Sequence, residues 1–173
     1  MIDSLVADQP SDIRSLLYLS EAMLYHMIYD YDDDSYKYNK RTATETVPDD
    51  CRQWSRRHFA QKIIDLTSLA TADSELLINR PIGNYKSVLT GLDSEQELFY
   101  PTLYDMVAYN AIELLSSFTD SMVIPFGKSD DKPDPSVVAE KRIEQLIDSL
   151  VRMHAERGEV AAEIKAIIER SKY

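Results

Sequence analysis

The chain has 173 residues, 44% of them hydrophobic and 28% charged, with 30 Asp and Glu against 19 Lys and Arg for a formal net charge of −11. That profile belongs to a folded chain with a core rather than a disordered one, and the acidic excess repels phosphate backbones and argues against nucleic-acid binding. A single cysteine, Cys51, excludes an intrachain disulfide and a cysteine-based metal site.

The opening residues, Met1 to Asp8, are too short and too acidic for a secretory signal. They read as the end of a helix entered midway, which predicts that the chain is a segment excised from a longer protein. Pro10 ends that stretch, and Ser11 is a fair N-cap for a first helix to about Tyr31. Leu17, Ser20, Leu24 and Met27 form one helical stripe on it, and Tyr18, Ala22, Tyr25 and Tyr29 form another, so contact on two sides is expected. After Tyr31 the helix can extend for a few residues, before Thr42 to Pro48 reads as extended or looped.

Asp50 with Gln53 at the third position predicts a capping box and a second helix, buried through Phe59, Ile63, Leu66 and Ala70. A short apolar turn, Ser74 to Ile78, follows, then a break at Pro81 to Asn84. One more short helix is expected from Tyr85 to Leu89, closed by Gly91.

The best-marked helix start in the chain is Tyr100-Pro101-Thr102-Leu103-Tyr104-Asp105. Thr102 can accept the amide of Asp105, Asp105 can reach back to the amide of Thr102, and its charge suits the positive end of the helix. Leu103, Val107, Ala111, Leu114 and Phe118 make the stripe expected to be buried. Residues 119–133 are expected to be a flexible loop, broken by prolines and a glycine. Asp134-Pro135 restarts a helix with Asp as N-cap and Pro at the first helical position, and Gly158 closes it in a left-handed cap. A last helix, Glu159 to about Ser171, carries Val160, Ala161, Ile164, Ile167 and Ile168 on one side, expected to pack against its predecessor as an antiparallel hairpin.

The chain carries no motif of a recognised reactive site. Asp30, Asp32 and Asp34 fall at the first, third and fifth positions of a calcium loop. The sixth is Ser35 instead of glycine and the twelfth is the cation Arg41 instead of a bidentate Glu, so no calcium site is assigned. His26, His58 and His154 lie on separate helices, and none has a second His, Cys or Glu at the spacing of a helical metal site. No glycine-rich phosphate loop or nucleophile elbow is present. The tyrosine stripes read first as seams between helices and second as the lining of a peptide groove.

Four stretches carry a family resemblance. They are the Leu, Ala, Met and Tyr-rich helix from Leu16 to Tyr38, the segment Asn39-Lys40-Arg41-Thr42-Ala43-Thr44-Glu45, the helix start Pro101-Thr102-Leu103-Tyr104-Asp105, and the paired helices from Ile143 to Ile168. In that order they resemble the helical region near the N-terminus of the large bacterial alpha-2-macroglobulin-like proteins of the cell envelope. The match departs at Tyr100, where the family often has Arg, and at Ser55-Arg56, where it commonly has Asp-Leu. The resemblance implies a parent exported to the periplasm or envelope that traps proteases. No functional residue is carried across, because Cys51-Arg52-Gln53-Trp54 lacks the family's thioester spacing.

The expectation is therefore an all-α fold over residues 1–173, antiparallel helical hairpins packed as a bundle or short TPR-like solenoid. Its expected role is non-enzymatic: a scaffold or interaction domain with no cofactor and no metal, contacting other domains of its parent chain or a protein partner, with no membrane insertion. The alternative is a free-standing adaptor holding a peptide in a Tyr-lined groove. Trp54, Pro101, Thr102, Tyr104 and Asp105 are the residues expected to matter most for structure.

Overall fold

A computed structural model describes residues 6, 8–31, 35–41, 46–87, 89, 93, 95–119 and 133–173. Among them are eight α-helices: α1 (Ser11–Tyr31), α2 (Ser35–Lys40), α3 (Arg56–Ala70), α4 (Ser74–Ile78), α5 (Gln96–Phe99), α6 (Leu103–Ser116), α7 (Pro135–Arg157) and α8 (Val160–Arg170). The described residues form no strand, only an isolated bridge between Pro81 and Thr102. The fold is all-α. No described helix is long and apolar enough to cross a membrane.

Helix α6 is central and touches α1, α3, α4 and α7. Its predicted stripe of Leu103, Val107, Ala111, Leu114 and Phe118 is buried throughout. Helix α1 lies along α3, α7 pairs with α8, and α5 reaches α8. The predicted α3 positions Phe59, Ile63, Leu66 and Ala70 join the same core. At one end of it Trp54 stacks on Tyr25 with ring centres 5.1 Å apart and meets Phe59 edge-on at 5.1 Å. The Trp54 indole N–H donates to the carbonyl of Pro48 at 2.6 Å, so the ring is buried without stranding its polar atom.

Several local expectations are corrected. The Asp50 cap is real, with its carboxylate accepting the Arg52 amide at 3.0 Å, but it starts only a single 3₁₀ turn, Cys51–Gln53. Trp54 and Ser55 are extended, and the long helix begins afresh at Arg56, where the Ser55 amide donates to His58 Nδ1 at 3.3 Å. A 3₁₀ turn over Ile82–Tyr85 takes the place of the helix expected from Tyr85 to Leu89, and α5 carries no sequence signal strong enough to have been anticipated. On α1 the stripe of Tyr18, Ala22, Tyr25 and Tyr29 faces inward, together with Ser15 and Leu19, whereas Ser20, Leu24 and Met27 face solvent. Only one of the two expected contact faces on α1 exists among the described residues. Residues 120–132 of the loop expected at 119–133, Gly91 and most of the Thr42–Pro48 stretch lie outside them, as do Asp32 and Asp34 of the acidic cluster.

Candidate functional site

Two features stand out once the helices are in place: a chain of linked charges that runs from the exposed Arg157 to the buried Asp105 at the start of α6, and a groove beside it.

The charges begin at the predicted cap. Thr102 Oγ1 accepts the Asp105 amide at 3.4 Å, and Asp105 Oδ2 accepts both the Thr102 amide (2.9 Å) and its hydroxyl (2.6 Å). The Leu103 amide, another donor with no partner inside the helix, reaches the Arg80 carbonyl at 2.8 Å, and the Ile82 amide reaches the Pro101 carbonyl at 3.0 Å. These bonds pin the start of α6 to the 80–82 turn. All five residues expected to be structurally important lie here or at the Trp54 cluster: Thr102, Tyr104, Asp105 and Trp54 are buried and Pro101 is half-buried.

The other carboxylate oxygen of Asp105 was not anticipated. Oδ1 lies 2.7 Å from Nε2 of His154 on α7, and His154 Nδ1 lies 2.8 Å from Glu159 Oε2 in the α7–α8 link. Glu159 Oε1 in turn accepts from Arg157 Nε at 2.9 Å. Asp105 and His154 are fully buried. A carboxylate at each ring nitrogen favours the charged ring, in which both nitrogens donate. Burial pulls the His154 pKa down, but the hydrogen bonds and charges of Asp105 and Glu159 outweigh it and hold it above the ordinary value. Burial alone would raise Glu159, yet Arg157 and His154 hold it below the usual carboxylate range.

The three histidines on separate helices give no sign of this convergence of titratable groups. The chemistry of the cluster is nonetheless that of a clamp. Neither His154 nitrogen has a free direction in which to exchange a proton with a substrate. The two carboxylates sit on opposite ring nitrogens, so they do not converge on one point as metal ligands do. Among the described residues no group of three His, Cys, Asp or Glu side chains is placed to hold a metal ion. The other two histidines lie apart: His26 is 3.4 Å from Asp30, and His58 caps α3.

The groove runs between α1 and α6 and has a volume of about 550 Å³. Leu16, Leu19, Ser20 and Met23 line it from α1, Met106, Tyr109, Asn110 and Glu113 from α6, and Ile82, Leu89, Gln96 and Tyr100 close it. Its volume falls within the range of ordinary ligand and peptide clefts. Tyr100 and Tyr109 meet edge-on at 5.2 Å, and the ammonium of Lys165 on α8 sits 4.8 and 4.9 Å from the two ring centres. The Tyr109 hydroxyl is buried with no hydrogen-bond partner. Burial, then the Asp105 charge, push its pKa far up, so it stays protonated and remains a donor. Asn110 donates to the Met106 carbonyl at 2.7 Å, leaving its own carbonyl oxygen available, and Glu113 supplies an exposed negative charge on the rim. The groove tyrosines are Tyr100 and Tyr109; Tyr18, Tyr25 and Tyr29 of α1 pack into or against the core instead.

Comparison with protein-family models, with curated proteins and with solved structures finds no match for this chain.

Proposed function

We propose that this chain is a non-catalytic helical interaction domain that seats a basic, amphipathic helix of a protein partner in the groove between α1 and α6. The observation that carries the reading is the lining of that groove: leucine and methionine from α1, methionine and tyrosine from α6, and the exposed carboxylate of Glu113. Two helices presenting apolar side chains across a cleft form a seat for a third helix, read through residues spaced three and four apart. Met23 and Met106 adapt their shape to an incoming side chain. A net charge of −11 attracts a basic partner, and Glu113 gives one of its Lys or Arg residues a defined position. The unpartnered hydroxyl of Tyr109 offers a donor to a backbone or side-chain carbonyl.

The sequence resemblance would make this domain a docking platform within an alpha-2-macroglobulin-like envelope protein. That placement rests on the resemblance alone; the groove serves equally well in a free-standing adaptor, and the reading frame on either side of the chain separates the two.

Peptide phage display against the intact chain tests the groove. Selected sequences are expected to carry apolar residues at helical spacing with at least one Lys or Arg. Their affinity is expected to fall tenfold or more in Met23→Glu, and to fall less steeply in Glu113→Lys. Met23 and Glu113 are both exposed, so neither change threatens the fold. Selected peptides indifferent to both substitutions, or a selection yielding no helical pattern, would remove the proposal.

A further inference from the structure

Helix α8 is packed the opposite way round from what its sequence pattern predicts. Ala162 and Ala166 are fully buried, while Val160, Ile164, Ile167 and Ile168 are 63%, 52%, 48% and 58% exposed. The two alanines bring α8 close to the bundle and turn its four large apolar side chains outward. At 100° per residue these four fall within one face about 100° wide. None of them lines the groove between α1 and α6, so this face is a separate surface.

We infer that this face pairs with the same face of a second copy of the chain, with the two α8 helices antiparallel. The charges beside the stripe select both the occupant and the direction. Glu163 and Arg170, seven residues apart, flank the same edge of it. In an antiparallel pair about a two-fold axis, Ile164 of each copy stacks on Ile167 of the other, and Glu163 of each copy meets Arg170 of the other. A parallel pair about a two-fold axis puts the Glu163–Arg170 edges of the two copies on opposite sides of the seam, so neither charge meets its complement. A two-fold interface is self-complementary by construction, and this edge satisfies that condition with opposite charges twice over. Glu163 has no side-chain partner within the described part of the chain, and Arg170 reaches only the exposed Asp148, from which it can swing. On the other edge Lys165 is held over Tyr100 and Tyr109, so it does not oppose the approach of a second copy. Four apolar side chains per copy cover well under the roughly 800 Å² per partner of a stable complex, so the dimer is weak and depends on concentration.

Sedimentation velocity on the intact chain from about 10 µM to about 1 mM reads the association directly. Wild type is expected to move from monomer to dimer across that range. Ile164→Glu and Glu163→Arg are each expected to weaken dimerisation at least tenfold, with circular dichroism confirming unchanged helicity. The charge exchange Glu163→Arg with Arg170→Glu is expected to restore it to within about threefold of wild type. A chain that stays monomeric throughout, that instead binds anionic lipid vesicles through this face, or whose dimer ignores Ile164→Glu would overturn the inference. A doubly exchanged variant no better than the single reversal would overturn the antiparallel arrangement. Loss of peptide binding in the groove has no bearing on any of these outcomes.

Discussion

At the residue scale, Asp105 does more than its position in a helix cap implies. Its Oδ2 completes the cap with Thr102, and its Oδ1 holds His154, 49 residues away in sequence and wholly buried. Removing Thr102's hydroxyl deletes two bonds at the cap, one accepted from the Asp105 amide and one donated to Asp105 Oδ2, and leaves the Asp105–His154 pair intact, at a cost of about 1 kcal/mol. Removing the Asp105 carboxylate instead leaves an imidazolium in the interior with half its partners gone, at a cost of about 3–5 kcal/mol. Thr102→Ala and Asp105→Ala are therefore expected to differ several-fold in their effect on the urea midpoint. Equal effects would mean that Asp105 acts only as a cap. The pairing is not visible in the sequence because helical spacing reveals only partners one turn apart on the same helix. Asp105 and His154 belong to different helices, and Glu159 follows His154 by five residues, across the end of a helix.

At the element scale, Gly158 is the joint that lets α7 turn back into α8, with Arg170 reaching Asp148 on the return. Its φ of +68° lies in the left-handed region, and a side chain placed there would meet nothing within 4 Å. Any penalty for replacing it is thus one of backbone conformation alone. Gly158→Ala is expected to lower stability by about 1 kcal/mol, and Gly158→Asn by clearly less, because Asn tolerates this conformation. Thermal midpoints of the two variants check this; equal losses would point to a contact instead. The same hairpin shows what sequence pattern can and cannot reveal. The Asp134-Pro135 start and the Gly158 stop were legible because capping chemistry is local: the Ser136 amide bonds Asp134 at 2.9 Å as the pattern requires. The apolar stripe of α8 was legible too, but periodicity says only that one side is apolar. Which side meets the bundle depends on its neighbours, and here the close approach allowed by Ala162 and Ala166 decided it. The start of α3 was misplaced for a related reason. Asp50 and Ser55 both carry capping signals, and only the extended backbone of Trp54 between them shows that the first serves a single turn.

At the scale of the whole molecule, the alternating charges of Asp105, His154, Glu159 and Arg157 tie the start of α6 to the α7–α8 hairpin, and their protonation should govern how the fold responds to pH. His154 is held above its ordinary value of 6.5, so its contribution is complete below that value and is lost as pH rises through the folded-state pKa. Glu159 is held below its ordinary 4.5, so its contribution is complete above that value and is lost as pH falls through the folded-state pKa. Between 4.5 and 6.5 both are present in full. Raising the pH beyond that window strips the proton that lies between two carboxylates, and a neutral ring can satisfy only one of them. The chain's growing negative charge pushes in the same direction, so a falling urea midpoint alone would not identify the cause. His154→Gln separates the two effects, since it keeps every other charge of the chain but has no titrating ring at this position. Wild type is expected to lose stability between pH 6.5 and 9 more steeply than His154→Gln, with the excess following the His154 titration seen by NMR. Parallel pH profiles for the two proteins would show that the clamp holds without its proton, and that the imidazolium between Asp105 and Glu159 is not what binds the hairpin to α6.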